Sequence, residues 1–327
     1  MKRNNWIDIS KGIGILLVVY GHVMQGMNHR GLIDWKDFHV FSNAFVYSFH
    51  MPLFFLIGGF WISFEKNKAF LSFLKIKISK IYYPYLLWSF FSILLRPLFV
   101  QYQRDTSLPS LVDAIKALLN GSLSWFLPTF FCVNITSFFI CQTGLPLQIL
   151  ISLGSIFVFS KLPSSELGGY SVVLTSFFYF LPFSVFGSIL SKVIFDLDRI
   201  SRKCLMFIFI SSISTTLTFT YLNLHEYIIV KLLMGLIGSL AVFSFSCFIK
   251  KYNFSKFLEN AGFCSLSIFL LHPYFQGFSR LIILKYFGFI SWYLSVIIQV
   301  IFAVLLPIIT FKSLKKLGLE CLFSLKS

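Results

Sequence analysis

Charged side chains are scarce in this sequence. Only 12% of its residues are Asp, Glu, Lys or Arg, whereas ordinary soluble domains are roughly a quarter charged. Apolar residues make up 57%, and the mean hydropathy is +0.82. This balance excludes an ordinary soluble domain and predicts an all-α, polytopic integral membrane protein in a lipid bilayer. The 327 residues leave room for about ten membrane spans of roughly 20 residues each, in a single transmembrane domain over residues 1–327.

Several motifs typical of soluble enzymes are also missing. The sequence contains no GxSxG, HExxH, P-loop or GxGxxG arrangement. Its six cysteines are scattered, mostly inside apolar runs, and no two of them have CxxC spacing. Neither a metal site nor a disulfide framework is therefore indicated, and we expect no bound cofactor.

Acidic residues are few, 12 against 28 basic residues, and the formal net charge is +16. In a soluble protein this charge would suggest a nucleic-acid partner, but here the basic residues concentrate in alternate loops. With the N-terminus inside, the basic loops 64–81, 192–203 and 250–264 and the C-terminal residues all fall on the cytoplasmic side. The positive-inside rule thus predicts cytoplasmic termini, and no nucleic-acid partner is expected.

The apolar runs predict ten spans. The first run holds Lys11 and His22 and lacks a small-residue cleavage site, so we expect it to remain as a membrane helix. The predicted spans are 9–27, 41–63, 82–102, 124–141, 145–160, 171–191, 204–222, 227–249, 265–284 and 289–311.

The stretch from Trp6 to Met24 is long enough to span a membrane, yet it carries Asp8, Lys11 and His22. At 100° per residue, the step from Lys11 to His22 makes three turns plus about 20°, and the step from Asp8 to His22 ends about 40° short of four turns. All three side chains therefore lie on one stripe, where Asp8 is expected to pair with Lys11. Ionisable groups in a membrane usually face a protein-lined cavity, so we interpret this stripe as one wall of a site.

Two more histidines lie at membrane depth. His50 is about halfway along the second predicted span, and His272 is in the ninth, directly before Pro273. A single membrane histidine is often only a packed residue, but His22 and His50 on adjacent spans favour a site. An imidazole can take a proton from a hydroxyl at neutral pH. Trp125, at the outer edge of the fourth span, is either an interfacial aromatic residue or a platform for substrate.

The longest basic segment, residues 64–84, ends at the membrane surface. Lys77 and Lys80 are three positions apart, so on an α-helix they would share a face. They are either plain topology anchors or a clamp for an anionic cytoplasmic ligand, such as the phosphates of a nucleotide-bearing donor.

Four stretches, in order along the chain, resemble the membrane acyltransferase-3 family, whose members O-acetylate bacterial envelope carbohydrates. They are IDISKGIGILLVVYGH, FHMPLFFLIGGF, KISKIYYPYLLW and SLSIFLLHP, and the WFL at 125–127 adds a weaker match. The first stretch has the family's basic residue and histidine, Lys11 and His22. This sequence has lysine where many members have arginine, both at Lys11 and in the pair Lys77 and Lys80, and lysine lacks the planar fork that grips phosphate in two places.

The resemblance implies an O-acyltransferase of the bacterial inner membrane that uses cytoplasmic acetyl-CoA as its donor. Its acceptor would be a sugar hydroxyl of an envelope polysaccharide, such as an O-antigen, or of its lipid-linked precursor. His22 is then expected to be the general base or acyl-handling centre, with Lys11 as its electrostatic partner. The expected substrate-binding residues are Lys77 and Lys80 for the donor and, in second rank, His50, His272, Asp8 and Trp125.

Two other functions are compatible with buried polar groups in membrane spans. A transporter or flippase for a lipid-linked sugar would use the same groups as a path, without acyl transfer. A polytopic glycan polymerase is a weaker alternative, because no long outer loop is present.

The charge pattern makes a topology prediction. Residues 103–123 should lie outside and residues 64–81 inside. A single cysteine placed at position 107 should react with a membrane-impermeant maleimide added from outside, and one at position 68 should not. Strong outside labelling at position 68 would overturn the topology and the cytoplasmic placement of the lysine pair.

Overall fold

The computed structural model describes residues 5–29, 31–33, 38–99, 112, 116, 124–162, 169–287 and 290–325. Every regular element within these residues is helical. They pack as two compact units, which divide the second helix between them at Phe54 and Phe55. The single-domain organisation stays a prediction, and each unit is described by itself.

The first unit contains residues 1–54 and 192–318. Two of the connections between its helices are 3₁₀ turns, at Leu197–Arg199 and Leu224–Glu226. Its helices are α1 (Asn5–His29), the first part of α2 (Phe38–Glu65), α8 (Ser191–Asp196, from its second residue), α9 (Arg202–Tyr221), α10 (Ile228–Ile249), α11 (Ser255–Phe263), α12 (Ser265–Tyr286) and α13 (Trp292–Lys316).

The second unit contains residues 55–191 and the C-terminal segment from Leu319. A π-helical turn, Ile78–Tyr82, continues α3 directly into α4, and a 3₁₀ turn at Glu320–Leu322 lies in the C-terminal segment. Its helices are the last part of α2, α3 (Phe70–Lys77), α4 (Tyr83–Phe99), α5 (Phe126–Ile140), α6 (Leu145–Lys161) and α7 (Gly169–Ile189).

Each of the ten predicted spans overlaps a helix. Seven candidate spans within the described residues are long and apolar enough to cross a membrane, and α5 and α6 are shorter apolar helices. The predicted ninth span, α12, is more polar because it holds His272, Gln276 and Arg280. The structure therefore confirms an all-α, multi-pass membrane protein, while the number of ten crossings stays a prediction.

The largest difference from the predicted spans is at the third. Its helix begins at Phe70, twelve residues before the predicted start, and continues through the rest of the basic segment without a break. No proline interrupts this segment before Pro84, and long lysine side chains cover apolar surface while keeping their charge in water. The predicted outer loop at 103–123 lies outside the described residues, apart from positions 112 and 116.

Helix α1 is the central element of the first unit. It packs against α10, α11, α12 and α13, and most of its apolar side chains are buried, among them Trp6, Ile9 and Val19. The Trp6 ring meets Phe243 of α10 edge-on, with 5.7 Å between ring centroids. One turn further on, the Ser10 hydroxyl donates to Ser246 Oγ of α10 at 2.9 Å.

Glycines bring α1 and α11 into backbone contact. A Cβ atom added at Gly12 would overlap the carbonyl oxygen of Leu258, and one added at Gly262 would overlap the carbonyl oxygen of Asp8. Small residues permit such close approach, which is a main source of helix association within membranes. Contact with α11 therefore fixes the position of the N-terminal half of α1, where Asp8 lies.

The second unit has an aromatic core around Phe55. The Phe55 ring stacks on Phe180 of α7 at 4.3 Å between centroids and meets the rings of Phe126 and Phe130 of α5 edge-on. A Cβ atom at Gly59 would overlap the backbone carbonyl of Ser184. Gly59 therefore lets α2 and α7 approach closely.

The α1–α11 contact makes a stability prediction. Gly262→Ala forces a methyl group into the Asp8 carbonyl, and such overpacking costs about 1–3 kcal/mol, so the purified protein should unfold at a lower temperature. Gly277→Ala in α12 is the matched control, since nothing lies within 4 Å of its Cβ position and alanine favours the helix. Equal melting temperatures for the two variants, measured in detergent, would contradict the close packing.

Candidate active site

The three histidines predicted to form a site come together in the first unit. His22 of α1 and His272 of α12 are in direct contact, with 2.8 Å between Nδ1 of His22 and Nε2 of His272 and 4.9 Å between ring centroids. His50 of α2 is linked to this pair through Tyr47, whose ring meets His50 and packs against Gly21, the neighbour of His22. The consecutive helices α1 and α2 and the distant α12 thus supply one cluster of imidazoles.

The three rings differ in accessibility. His50 and His272 are 2% and 1% exposed, whereas His22 is only partly buried. His22 is therefore the member of the cluster that a bound molecule can reach. His50 and His272 are enclosed by the protein.

Backbone carbonyls hold the two buried histidines. Pro273 has no N–H, so the carbonyl of Phe269 loses its usual helical partner, and Nδ1 of His272 lies 2.9 Å from that oxygen. In α2, Nδ1 of His50 lies 2.7 Å from the carbonyl oxygen of Val46, one turn earlier. Each buried imidazole is held by the backbone of its own helix.

Neighbouring side chains hold the cluster in place. The side-chain amide of Gln276, one turn beyond His272, donates to the backbone carbonyl of His22 at 2.9 Å. The ring of Tyr47 meets His50 edge-on at 4.6 Å between centroids and lies where Gly21 of α1 leaves room for it. Sequence reasoning missed Gln276, although its i+4 spacing from His272 on a helix was the signal that could have found it.

Asp8 and Lys11 form an ion pair on α1, with 3.3 Å between Nζ and Oδ1. The predicted pairing is confirmed. The side chain of Lys11 is 26% exposed and that of Asp8 only 10%, so the lysine is the more accessible member of the pair. Along α1, Lys11 is about 16 Å from His22 at 1.5 Å per residue.

The lysine pair lies in the second unit, and its two members have different surroundings. Nζ of Lys77 is 3.0 Å from Oε2 of Glu65, with side-chain exposures of 12% and 19%, and it also lies over the Phe73 ring. Lys80 is exposed, within the π-helical turn. Lys77 ends α3 and Lys80 lies in the π-helical turn that follows it, so the common face predicted for an α-helix stays a prediction. Sequence reasoning also missed Glu65.

Trp125 lies just before α5, also in the second unit. Its ring stacks on Phe180, with 5.7 Å between centroids and 13° between ring planes. In this structure Trp125 extends the aromatic core around Phe55, so packing explains its position.

A further polar cluster in the first unit was not predicted. Nε of Arg280 on α12 donates to Oε1 of Gln299 on α13 at 3.0 Å, and Gly26 of α1 makes room for the guanidinium group. Gln299 in turn donates to Ser295 at 3.0 Å. As for metals, no three His, Cys, Asp or Glu side chains in the part of the chain that the structure describes are arranged to bind an ion.

The helices and the site together define a multi-pass membrane protein with ionisable side chains gathered inside its spans, which in such proteins marks a functional site. The chain belongs to the acyltransferase-3 family, whose profile, described as an acyltransferase domain, matches residues 4–315. The match covers nearly the whole chain and confirms the resemblance seen in its motifs. No curated protein and no solved structure gives a significant match. The protein is thus a membrane acyltransferase.

Proposed function

We propose that the protein is an acetyl-CoA-dependent O-acyltransferase of the bacterial inner membrane, acting on a sugar hydroxyl of an envelope polysaccharide or of its lipid-linked precursor. One observation carries the proposal: His22, the accessible member of a buried histidine cluster, lies on the same helix as a paired, charged lysine. The family match supports acyl transfer over the transporter and polymerase alternatives.

In the proposed reaction, His22 acts as the general base. It takes the proton of the acceptor hydroxyl while the hydroxyl oxygen bonds to the thioester carbonyl carbon of the donor. The carbon–sulfur bond then breaks, and the proton on His22 passes to the departing thiolate. The products are a sugar ester and free coenzyme A, and no other reactant is consumed.

Lys11 is assigned an electrostatic role at the cytoplasmic end of α1. The carboxylate of Asp8, at 3.3 Å, lowers the cost of keeping a charged ammonium group there. A positive charge at this position favours an anionic donor that enters from the cytoplasm. The stripe from Lys11 to His22 then leads the acyl end of the donor towards the base.

Lys80 is the better of the two lysines for binding the phosphates of the donor. Its side chain is exposed. Lys77 already pairs with Glu65 at 3.0 Å and would have to give up that carboxylate in order to bind a phosphate. We assign Lys77 and Glu65 to holding the turn that carries Lys80.

Substitution of His22 tests the enzyme assignment. Loss of a general base typically costs about 10² to 10⁴ in rate, so His22→Ala and His22→Gln should insert normally yet leave almost no ester on the glycan. Lys11→Arg keeps the charge and should keep much of the activity, whereas Lys11→Ala should not. The readout is NMR of the surface polysaccharide from cells that carry each variant.

The control for this experiment is His29→Gln, an exposed histidine at the end of the same helix, which should acetylate normally. Deletion of the gene should remove the ester but leave chain length and export of the glycan intact, and loss of export would indicate a flippase instead. Near wild-type acetylation by His22→Gln would show that His22 is a packing residue.

A second experiment tests the donor site. One charge-assisted contact is worth about 1.5–3 kcal/mol, so Lys80→Gln should raise the apparent KM for acetyl-CoA by roughly ten- to a hundredfold, less if the site is wet. The KM for the acceptor should stay the same. Lys75→Gln, an exposed lysine of α3, is the matched control, and equal donor KM values for these two variants would make Lys80 a topology anchor only.

A further inference from the structure

We infer that His272 is a positioning residue that fixes the proton of His22 on Nδ1 and leaves Nε2 of His22 as its basic nitrogen. The assignment of protons follows from the geometry alone. Its catalytic consequence rests on the proposed function of His22.

Backbone contacts fix the position of the proton on His272. Nδ1 of His272 lies 3.0 Å from the carbonyl oxygen of Ile268 and 2.9 Å from that of Phe269. Carbonyl oxygens only accept hydrogen bonds, so Nδ1 must carry the hydrogen. The Phe269 oxygen is available to accept it because Pro273 has no N–H.

A neutral imidazole carries one N–H, so Nε2 of His272 is an acceptor. This atom is 2.8 Å from Nδ1 of His22, a distance at which two lone pairs would repel. The hydrogen between them therefore belongs to Nδ1 of His22. The opposite direction would need His272 to carry both protons, and at 1% exposure an unpaired cation is too costly to bury.

The same rule then settles the other nitrogen of His22. With its hydrogen on Nδ1, neutral His22 has a lone pair on Nε2, the nitrogen turned away from His272. A base that accepts a proton there keeps its Nδ1–H bonded to a neutral acceptor. This is the arrangement by which a buried acidic partner orients the histidine of a catalytic triad, with an imidazole in place of the carboxylate.

Gln276 supports the arrangement from the backbone. Its amide donates to the carbonyl oxygen of His22 at 2.9 Å, so α12 holds both the ring and the main chain of His22. The two contacts are one turn apart on α12, at His272 and Gln276, which fixes the distance between Nε2 of His272 and Nδ1 of His22.

Nitrogen NMR of the imidazoles tests the inference without any measurement of activity. Full-length protein labelled with ¹⁵N-histidine in lipid nanodiscs, with the His22 signals assigned by their loss in His22→Gln, should show a protonated Nδ1 and an unprotonated Nε2. In His272→Leu, which lacks the acceptor, His22 should shift to the Nε2–H form or to a mixture. A wild-type His22 with its proton on Nε2 overturns the inference, even if His272→Leu fails to fold.

Kinetics provide a second readout. His272→Gln places an amide oxygen near the position of Nε2, so it should keep kcat within about tenfold of wild type. His272→Leu should lower kcat by about a hundredfold or more with little change in KM for donor or acceptor. A change in KM alone, or equal kcat values for the two variants, would overturn the positioning role.

The two proposals can fail separately. If His22 has the expected tautomer but His22→Gln remains active, the proposed function fails and the tautomer assignment stands. If His22 is essential but carries its proton on Nε2, the role of His272 fails and the proposed function stands.

Discussion

The cost of placing polar and ionisable groups inside a membrane is the constraint on which the first unit depends. Helix α1 carries Asp8, Ser10, Lys11 and His22 within a membrane-spanning segment, where polar groups are costly unless they are paired. Asp8 and Lys11 pair with each other on α1, but Ser10 bonds to α10 and His22 bonds to α12. These hydrogen bonds from Ser10 and His22 hold α10 and α12 in place beside α1.

Close backbone contact between helices limits how far α1 can move. Gly12 and Gly262 let α1 and α11 meet at their backbones, so small sideways movements of α1 are blocked by direct atomic contact. At the other end, Gln276 ties the main chain of His22 to α12. The proposed proton transfer at His22 requires its atoms to be held close to one position, and these contacts hold α1 near both of its ends.

The second unit solves a similar problem at its charged turn. Lys77 is mostly buried, and Glu65 balances its charge at 3.0 Å. The adjacent π-helical turn, a feature common at functional sites, contacts the C-terminal segment through Ser79, which donates to the carbonyl of Leu325. Trp88 of the following helix α4 donates to the carbonyl of Leu322 in the same segment. Lys80 is thus an exposed charge on a supported turn.

Composition and spacing alone determined the fold class, the ten helical segments and the pairing of Asp8 with Lys11, because hydropathy and helical periodicity act within one segment. The motifs also indicated the family. Only the tertiary structure decided that His22 meets His272 rather than His50 most closely, that Glu65 pairs with Lys77, and that a π-turn separates the surroundings of Lys77 from those of Lys80. These contacts join residues on different helices or depend on a local change of helix type, and neither kind of information is present in the spacing of a single span.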